Sequence, residues 1–186
     1  MVGSLEYAEI FTHINGNNKY QNIKNFVETG TYKGETVIDN SHHFDNLYTI
    51  EINENLYNQA VEMANKLNKD NINFYMGDSL QILNDIIPYV KDGAIFFIDS
   101  HISGTDTSYN GVNYVPLIEE LDIILNYKLG PSVFVFNCTR FWKGCNQEVW
   151  DWEHISFKKV IEMFNNKNVN LTAFYEENDK FWVFTE

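Results

Sequence analysis

Apolar and polar positions alternate along this chain in two rhythms. Strand-length apolar runs fall at 24–28 (KNFVE), 47–51 (LYTIE), 72–76 (INFYM), 94–98 (AIFFI) and 132–136 (SVFVF). Between them the apolar residues recur at helical spacing. Residues 4–14 read as a helix capped by Ser4, with Leu5, Ala8, Ile10 and Phe11 as its stripe. Further helices are expected at 34–41, at 54–68, from Asp78 or Ser79 through Ile86, at 115–127 with Pro116 in the first turn, and at 153–165. On the helix at 54–68 the apolar side is Leu56, Ala60, Met63, Ala64 and Leu67. The unbroken runs AIFFI and SVFVF suit central strands buried on both faces. Residues 102–113, rich in Ser, Thr, Asn, Asp and Gly, and the aromatic-rich 138–152 read as loops. The last segment, VNLTAFY-EEND-KFWVFT, reads as a hairpin. Five strand–helix alternations and a closing hairpin predict an α/β protein with a mostly parallel sheet.

Length and charge narrow the class. The 186 residues suit one domain, and 44% hydrophobic with 16% aromatic content is enough for a sizeable core. The net charge of −13 repels phosphate backbones and anionic membrane surfaces, so neither nucleic acid nor membrane is an expected partner. Two cysteines, Cys138 and Cys145, make no disulfide framework and no zinc-type CxxC pair, and both read as plain thiols. The start lacks a basic segment followed by an apolar run, and no stretch is long enough to span a bilayer. A soluble, cytoplasmic protein is expected.

In an open parallel sheet, ligands bind beyond the carboxyl ends of the strands, near the point where strand order reverses. Five polar or glycine-containing sets follow the five apolar runs. They are Glu28-Thr29-Gly30-Thr31-Tyr32-Lys33-Gly34, Glu51-Ile52-Asn53, Gly77-Asp78-Ser79, Asp99-Ser100-His101 and Asn137-Cys138-Thr139-Arg140. In the first, Gly30 is expected to let a ligand approach the backbone, and Gly34 to let the helix pack on the strand. It is not a GxGxxG turn, which argues against a nicotinamide dinucleotide. A short-chain reductase would also need Tyr-x-x-x-Lys after the fourth or fifth strand, and the only such pair, Tyr20 with Lys24, precedes the first. Glu51 is placed to accept both hydroxyls of a ribose, the alternative being a solvated strand-end carboxylate. Asp78 is placed to accept an exocyclic amine, to cap the next helix, or both.

The segments VETGTYKGET, LYTIEIN, NINFYMGDS and AIFFIDSH, in that order, resemble the class I S-adenosylmethionine-dependent methyltransferases. Asp99-Ser100-His101 followed by a Ser/Gly-containing loop and Pro116-Leu117-Ile118-Glu119-Glu120-Leu121 is most similar to small O-methyltransferase-like members. The resemblance implies a three-layer αβα Rossmann-like sandwich with seven strands, preceded by a helical cap at 1–22, with the core at 23–186. It also implies cofactor roles. Glu28, Gly30 and Gly34 would border the methionine moiety, Glu51 would hold the ribose, Asp78 and Ser79 would border the adenine, and Asp99 would lie near the sulfonium. Thr29, Thr31, Tyr32 and Thr36 of the first turn and Ile52 after the second strand complete the candidate cofactor set.

Transfer of a methyl to oxygen needs a way to remove the hydroxyl proton. A neutral histidine or a metal ion can do this. His101 is the candidate base and Asp99 its partner, or both share a metal, provided the strand persists through them. Related metal-assisted enzymes place carboxylates after the fifth strand, where this chain has Asn137-Cys138. A hard dication wants anionic oxygens, so no metal is expected unless Asp106 compensates. Arg140, the only arginine, is placed to clamp an anionic acceptor or to form a structural ion pair. Phe141, Trp142, Trp150 and Trp152 are placed to stack on an acceptor, to form a satellite core, or to line a homodimer interface. The function expected is S-adenosylmethionine-dependent O-methylation of a small-molecule or sugar hydroxyl. The alternative is a methyltransferase-like binding or scaffold protein that has lost catalysis.

Overall fold

The computed structural model describes residues 4–102, 107, 114–143 and 152–186. Among the described residues there are seven strands: β1 (Asn25–Thr29), β2 (Asn46–Glu51), β3 (Ile72–Met76), β4 (Ile95–Ile98), β5 (Ser132–Phe136), β6 (Leu171–Glu177) and β7 (Lys180–Thr185). They form one sheet in the order β3-β2-β1-β4-β5-β7-β6. The first five are parallel, and β7 runs antiparallel to both β5 and β6. The helices are α1 (Tyr7–Ile14), α2 (Asn18–Gln21), α3 (Glu35–Asn40), α4 (Glu54–Lys66), α5 (Ser79–Ile86), α6 (Leu117–Leu125), α7 (Thr139–Trp142) and α8 (Phe157–Asn166). No described helix is long and apolar enough to cross a membrane.

The period of two along each strand divides the core into two slabs. Val27, Phe96, Ile98, Phe134 and Phe136 pack with Leu83 and Ile86 of α5, Leu121 and Ile124 of α6, and Val160 and Phe164 of α8. Phe26, Ile95, Phe97, Val133 and Val135 pack with Ile10 and Ile14 of α1, Val37 and Ile38 of α3, and Ala64 of α4. This explains why AIFFI and SVFVF show no alternation: each face of the sheet has its own helix layer. Phe96 stacks on Phe134 with centroids 4.8 Å apart, fixing β4 against β5.

Several boundaries depart from the pattern. Helix α1 begins at Tyr7, not at Ser4, and its N-cap Glu6 makes no side-chain cap bond. Leu5 is fully buried instead, with its N–H toward Thr36 Oγ1. Strand β1 extends through Thr29, and α8 starts only after Ser156, whose hydroxyl accepts from the Lys159 N–H. The four-residue α2, capped by Asn17, carries no apolar stripe to announce it. On α4 the buried line is Leu56, Ala60 and Ala64, four residues apart. Met63 and Leu67 lie on the neighbouring line and are 47% and 49% exposed, contrary to expectation. The β6–β7 turn is tighter than EEND suggests. Glu177 pairs with Lys180, leaving Asn178 (φ 52°) and Asp179 (φ 61°) as a two-residue turn, both left-handed as a type I′ hairpin requires.

Candidate functional site

Strand order reverses at β1, which pairs with β2 on one side and β4 on the other. The crevice beyond β1 and β4 is therefore where the topology opens a site. Gly30 sits at its floor with φ +82°, and a Cβ there would lie 2.7 Å from the Asp99 carbonyl oxygen. The glycine thus admits the chain's own β4 end. Gly34, at φ +83°, would place a Cβ 3.0 Å from Ala60 Cβ. It permits the contact with α4, so the expected contact with the strand is corrected.

Three carboxyls gather here. Glu28 is buried at the end of β1 and accepts from Thr49 Oγ1 at 2.6 Å, while Thr49 and Thr31 share a hydroxyl contact of 2.5 Å. Burial pushes the Glu28 carboxyl well above its usual range, and the charges of Asp99 and Glu51 add to that. Glu51 is buried at the end of β2. Its Oε2 accepts from the Tyr32 N–H at 2.7 Å and its Oε1 from the Asn53 N–H at 2.8 Å. Burial raises this carboxyl too, while those amides hold it back. Glu51 therefore ties the β1 and β2 loops together, and with the Ile52 N–H as a third donor it keeps about one acceptor site for a hydroxyl. Ile52 beside it is half-buried. Thr36 is buried in α3. Asp78 caps α5 by accepting from the Leu80 N–H at 3.0 Å. Buried Ser79 directs its hydroxyl to Glu120.

Glu120, on α6, had no role assigned from sequence beyond its place in the quoted motif. It is fully buried and accepts from Thr29 Oγ1 at 3.2 Å, from Ser100 Oγ and from Ser79. One carboxyl thus joins the ends of β1 and β4 to the start of α5, and burial pushes it up to about 7.

At the end of β4, Asp99 Oδ1 accepts from Asn137 Nδ2 at 2.9 Å and lies 3.4 Å from His101 Nδ1. Burial raises Asp99 to about 8, opposed by the Asn137 bond and by the charge of Lys180. Burial lowers His101 to about 4, and the charge of Arg140 adds to this. The imidazole is therefore neutral near pH 7. Its other nitrogen, Nε2, lies 3.6 Å from Cys138 Sγ. Trp152 packs edge-on against the ring at 5.1 Å, and Phe141 stacks on Trp152. The Trp152 Nε1–H is buried without a hydrogen-bond partner among the described residues.

Asp99, His101 and Cys138 are a group whose ligating atoms all lie within 4.8 Å of one another. The imidazole, however, stands between the other two, Nδ1 toward Asp99 and Nε2 toward Cys138. The same three residues therefore line up as a relay and, with one ligating atom from each, could also hold a metal ion. Arg140 pairs with Asp179, and its guanidinium lies 4.5 Å from the Phe141 ring centroid. Trp142 packs against Phe136, Phe157 and Phe181. Asp106 and Trp150 lie outside the described residues.

No family model matches the chain, and no curated protein sequence does. Solved structures do. A candidate caffeoyl-CoA O-methyltransferase from Staphylococcus aureus is 15% identical, with 95% of this chain and 80% of that one covered at a TM-score of 0.64. A SAM-dependent methyltransferase from Aquifex aeolicus is 15% identical, with 98% of each chain covered and a TM-score of 0.58. The O-methyltransferase TomG of Streptomyces achromogenes, solved with SAM, is 16% identical over 90% of this chain and 74% of its own, with a TM-score of 0.57. Strand order, antiparallel closing pair and these likenesses together identify the fold as that of the class I S-adenosylmethionine-dependent methyltransferases.

Proposed function

We propose that the protein is an S-adenosylmethionine-dependent methyltransferase acting on a hydroxyl of a small molecule or sugar. The observation that carries this reading is the gathering of Glu28, Glu51 and Asp99 at the switch point. Burial raises all three carboxyls, and the charges of Asp99 and Glu51 raise Glu28 further, so a cationic ligand there would favour their ionised forms. When bound, S-adenosylmethionine supplies a methyl group made electrophilic by its sulfonium. Glu51 has an acceptor site left for a ribose hydroxyl, and the Tyr32, Asn53 and Ile52 amides hold it in place. His101, neutral and buried, takes the acceptor's proton. Asp99 fixes the imidazole through Nδ1 and stabilises the imidazolium that results. The unpartnered Trp152 Nε1–H is available as a donor to the acceptor. Arg140, already paired with Asp179, contributes less to acceptor binding than its position in the sequence suggests.

Calorimetric titration with S-adenosylmethionine and S-adenosylhomocysteine tests the cofactor. Glu51→Ala removes charge-assisted hydrogen bonds, so affinity should fall on the order of tenfold to hundredfold. No binding of either ligand to folded protein would refute the reading and leave the scaffold alternative, which the Asn137-Cys138 replacement of carboxylates also favours.

A further inference from the structure

We propose that Cys138, His101 and Asp99 form a nucleophile–base–orienter relay, and that Cys138 Sγ itself accepts a methyl group from a bound methyl sulfonium. This rests on the cofactor reading above and replaces its hydroxyl acceptor by Cys138, because the one base, His101, serves one acceptor. The geometry has three parts. First, the order of atoms is that of a relay: Sγ to Nε2 at 3.6 Å, then Nδ1 to Asp99 Oδ1 at 3.4 Å, with Asn137 Nδ2 holding the same carboxyl oxygen at 2.9 Å. Second, Cys138 stands at a sharp turn between strand β5 and helix α7 with φ 63° and ψ 39°, a left-handed conformation that a non-glycine residue keeps only when its surroundings impose it. Strand-to-helix turns of this kind present a nucleophile. Third, the turn is held from outside. Asp179, in the β6–β7 turn, takes the Thr139 N–H on its backbone carbonyl at 3.1 Å and the Arg140 N–H on Oδ1 at 2.6 Å.

The nitrogen that would receive an acceptor's proton already faces a thiol. Sulfur is thus the nucleophile held on the base. In the step, His101 Nε2 takes the proton from Sγ, and the sulfur lone pair forms a bond to the methyl carbon. The bond from that carbon to the sulfonium breaks, and its electron pair returns to the donor sulfur, leaving the neutral thioether of S-adenosylhomocysteine. The proton on His101, stabilised by Asp99, then passes to solvent. Cys138 ends as a thioether, which does not pass the methyl on, so the reaction runs once per chain. Burial holds the free thiol up near 12, so the base is needed at neutral pH.

The test is mass spectrometry of the full chain after incubation with methyl-labelled S-adenosylmethionine, beside calorimetry on the same sample. The expected result is one labelled methyl on the peptide carrying Cys138 and one S-adenosylhomocysteine per chain. Protein isolated with a methyl already on Cys138 supports the proposal equally. Cys138→Ser should bind the cofactor and take no label. His101→Gln should bind it but label about a hundredfold more slowly at neutral pH. Raising the pH should restore part of that rate, because thiolate then forms without the base. Cofactor binding with no label on Cys138, or label elsewhere, overturns the relay alone. Absence of binding overturns the relay and the cofactor reading together.

Discussion

Asp99 carries an electrostatic consequence that binding can report. A carboxyl raised to about 8 is mostly protonated at neutral pH. A sulfonium placed beside it, as proposed, favours the charged form and drives the proton off. Binding of S-adenosylmethionine near pH 7 should therefore release protons, and binding of the neutral S-adenosylhomocysteine should release fewer. Calorimetry in buffers of different ionisation enthalpy measures the difference, and equal release for both ligands would place the sulfonium away from Asp99. Glu120 makes a separate prediction. Glu120→Leu strips the buried hydroxyls of Thr29 and Ser79 and the partly buried one of Ser100 of this acceptor. About 1–3 kcal/mol of stability should be lost for such unsatisfied groups. Urea unfolding of this variant beside Glu120→Gln, which keeps one acceptor oxygen, resolves that cost. At this scale the sequence was partly readable. Glu28, Glu51, Asp99 and His101 were recognisable because each follows an apolar run. Glu120 lay inside a helix pattern, where a glutamate ordinarily faces solvent. The contact of Cys138 with His101 joins two strand ends 37 residues apart, and nothing local marks it.

Among the elements, the strands were the most legible and the short helices the least. AIFFI and SVFVF have a composition that only a doubly covered strand explains, and both proved central. Helix α2 has four residues and no stripe, so no period can be read from it. On α4, two apolar lines lie side by side, and only packing decides which is buried. The β1 turn allows a sharper statement. Gly30→Ala demands a left-handed alanine and a Cβ 2.7 Å from a backbone oxygen that cannot move without shifting β4. It should cost about 1–3 kcal/mol for the conformation alone. A drop in melting temperature should accompany it, together with weaker cofactor binding, since the β1 and β4 ends move together. Full retention of stability would show that the β4 end yields easily.

For the molecule as a whole, buried titrating groups set the pH dependence of stability. Glu28, Glu120 and Asp99 have raised folded values, the last two near 7 and 8. Their stabilising contribution is complete below the ordinary carboxylate range and is lost as pH rises through those values. His101 is lowered, so its contribution is complete above the ordinary imidazole value of 6.5 and is lost as pH falls toward about 4. Above about pH 6.5 only the carboxyls still act. Stability without ligand should therefore fall between about pH 6.5 and 8, by on the order of 2 kcal/mol. Thermal unfolding across that range checks the sign, and Glu120→Gln should flatten the slope. The topological rule that placed a site at the β1/β4 crevice needed only the order of elements, which the alternation supplied. The hold of the hairpin on the β5 turn needed the folded chain.

That hold has a bearing on how the protein is made. Asp179 follows β5 in the chain, yet it fixes the backbone of Thr139 and Arg140 beside Cys138. During synthesis, β1 to β5 leave the ribosome before the residue that secures their last turn. The turn after β5 is therefore secured only after the hairpin has closed, and a chain released early carries the acids, the histidine and the thiol without that clamp.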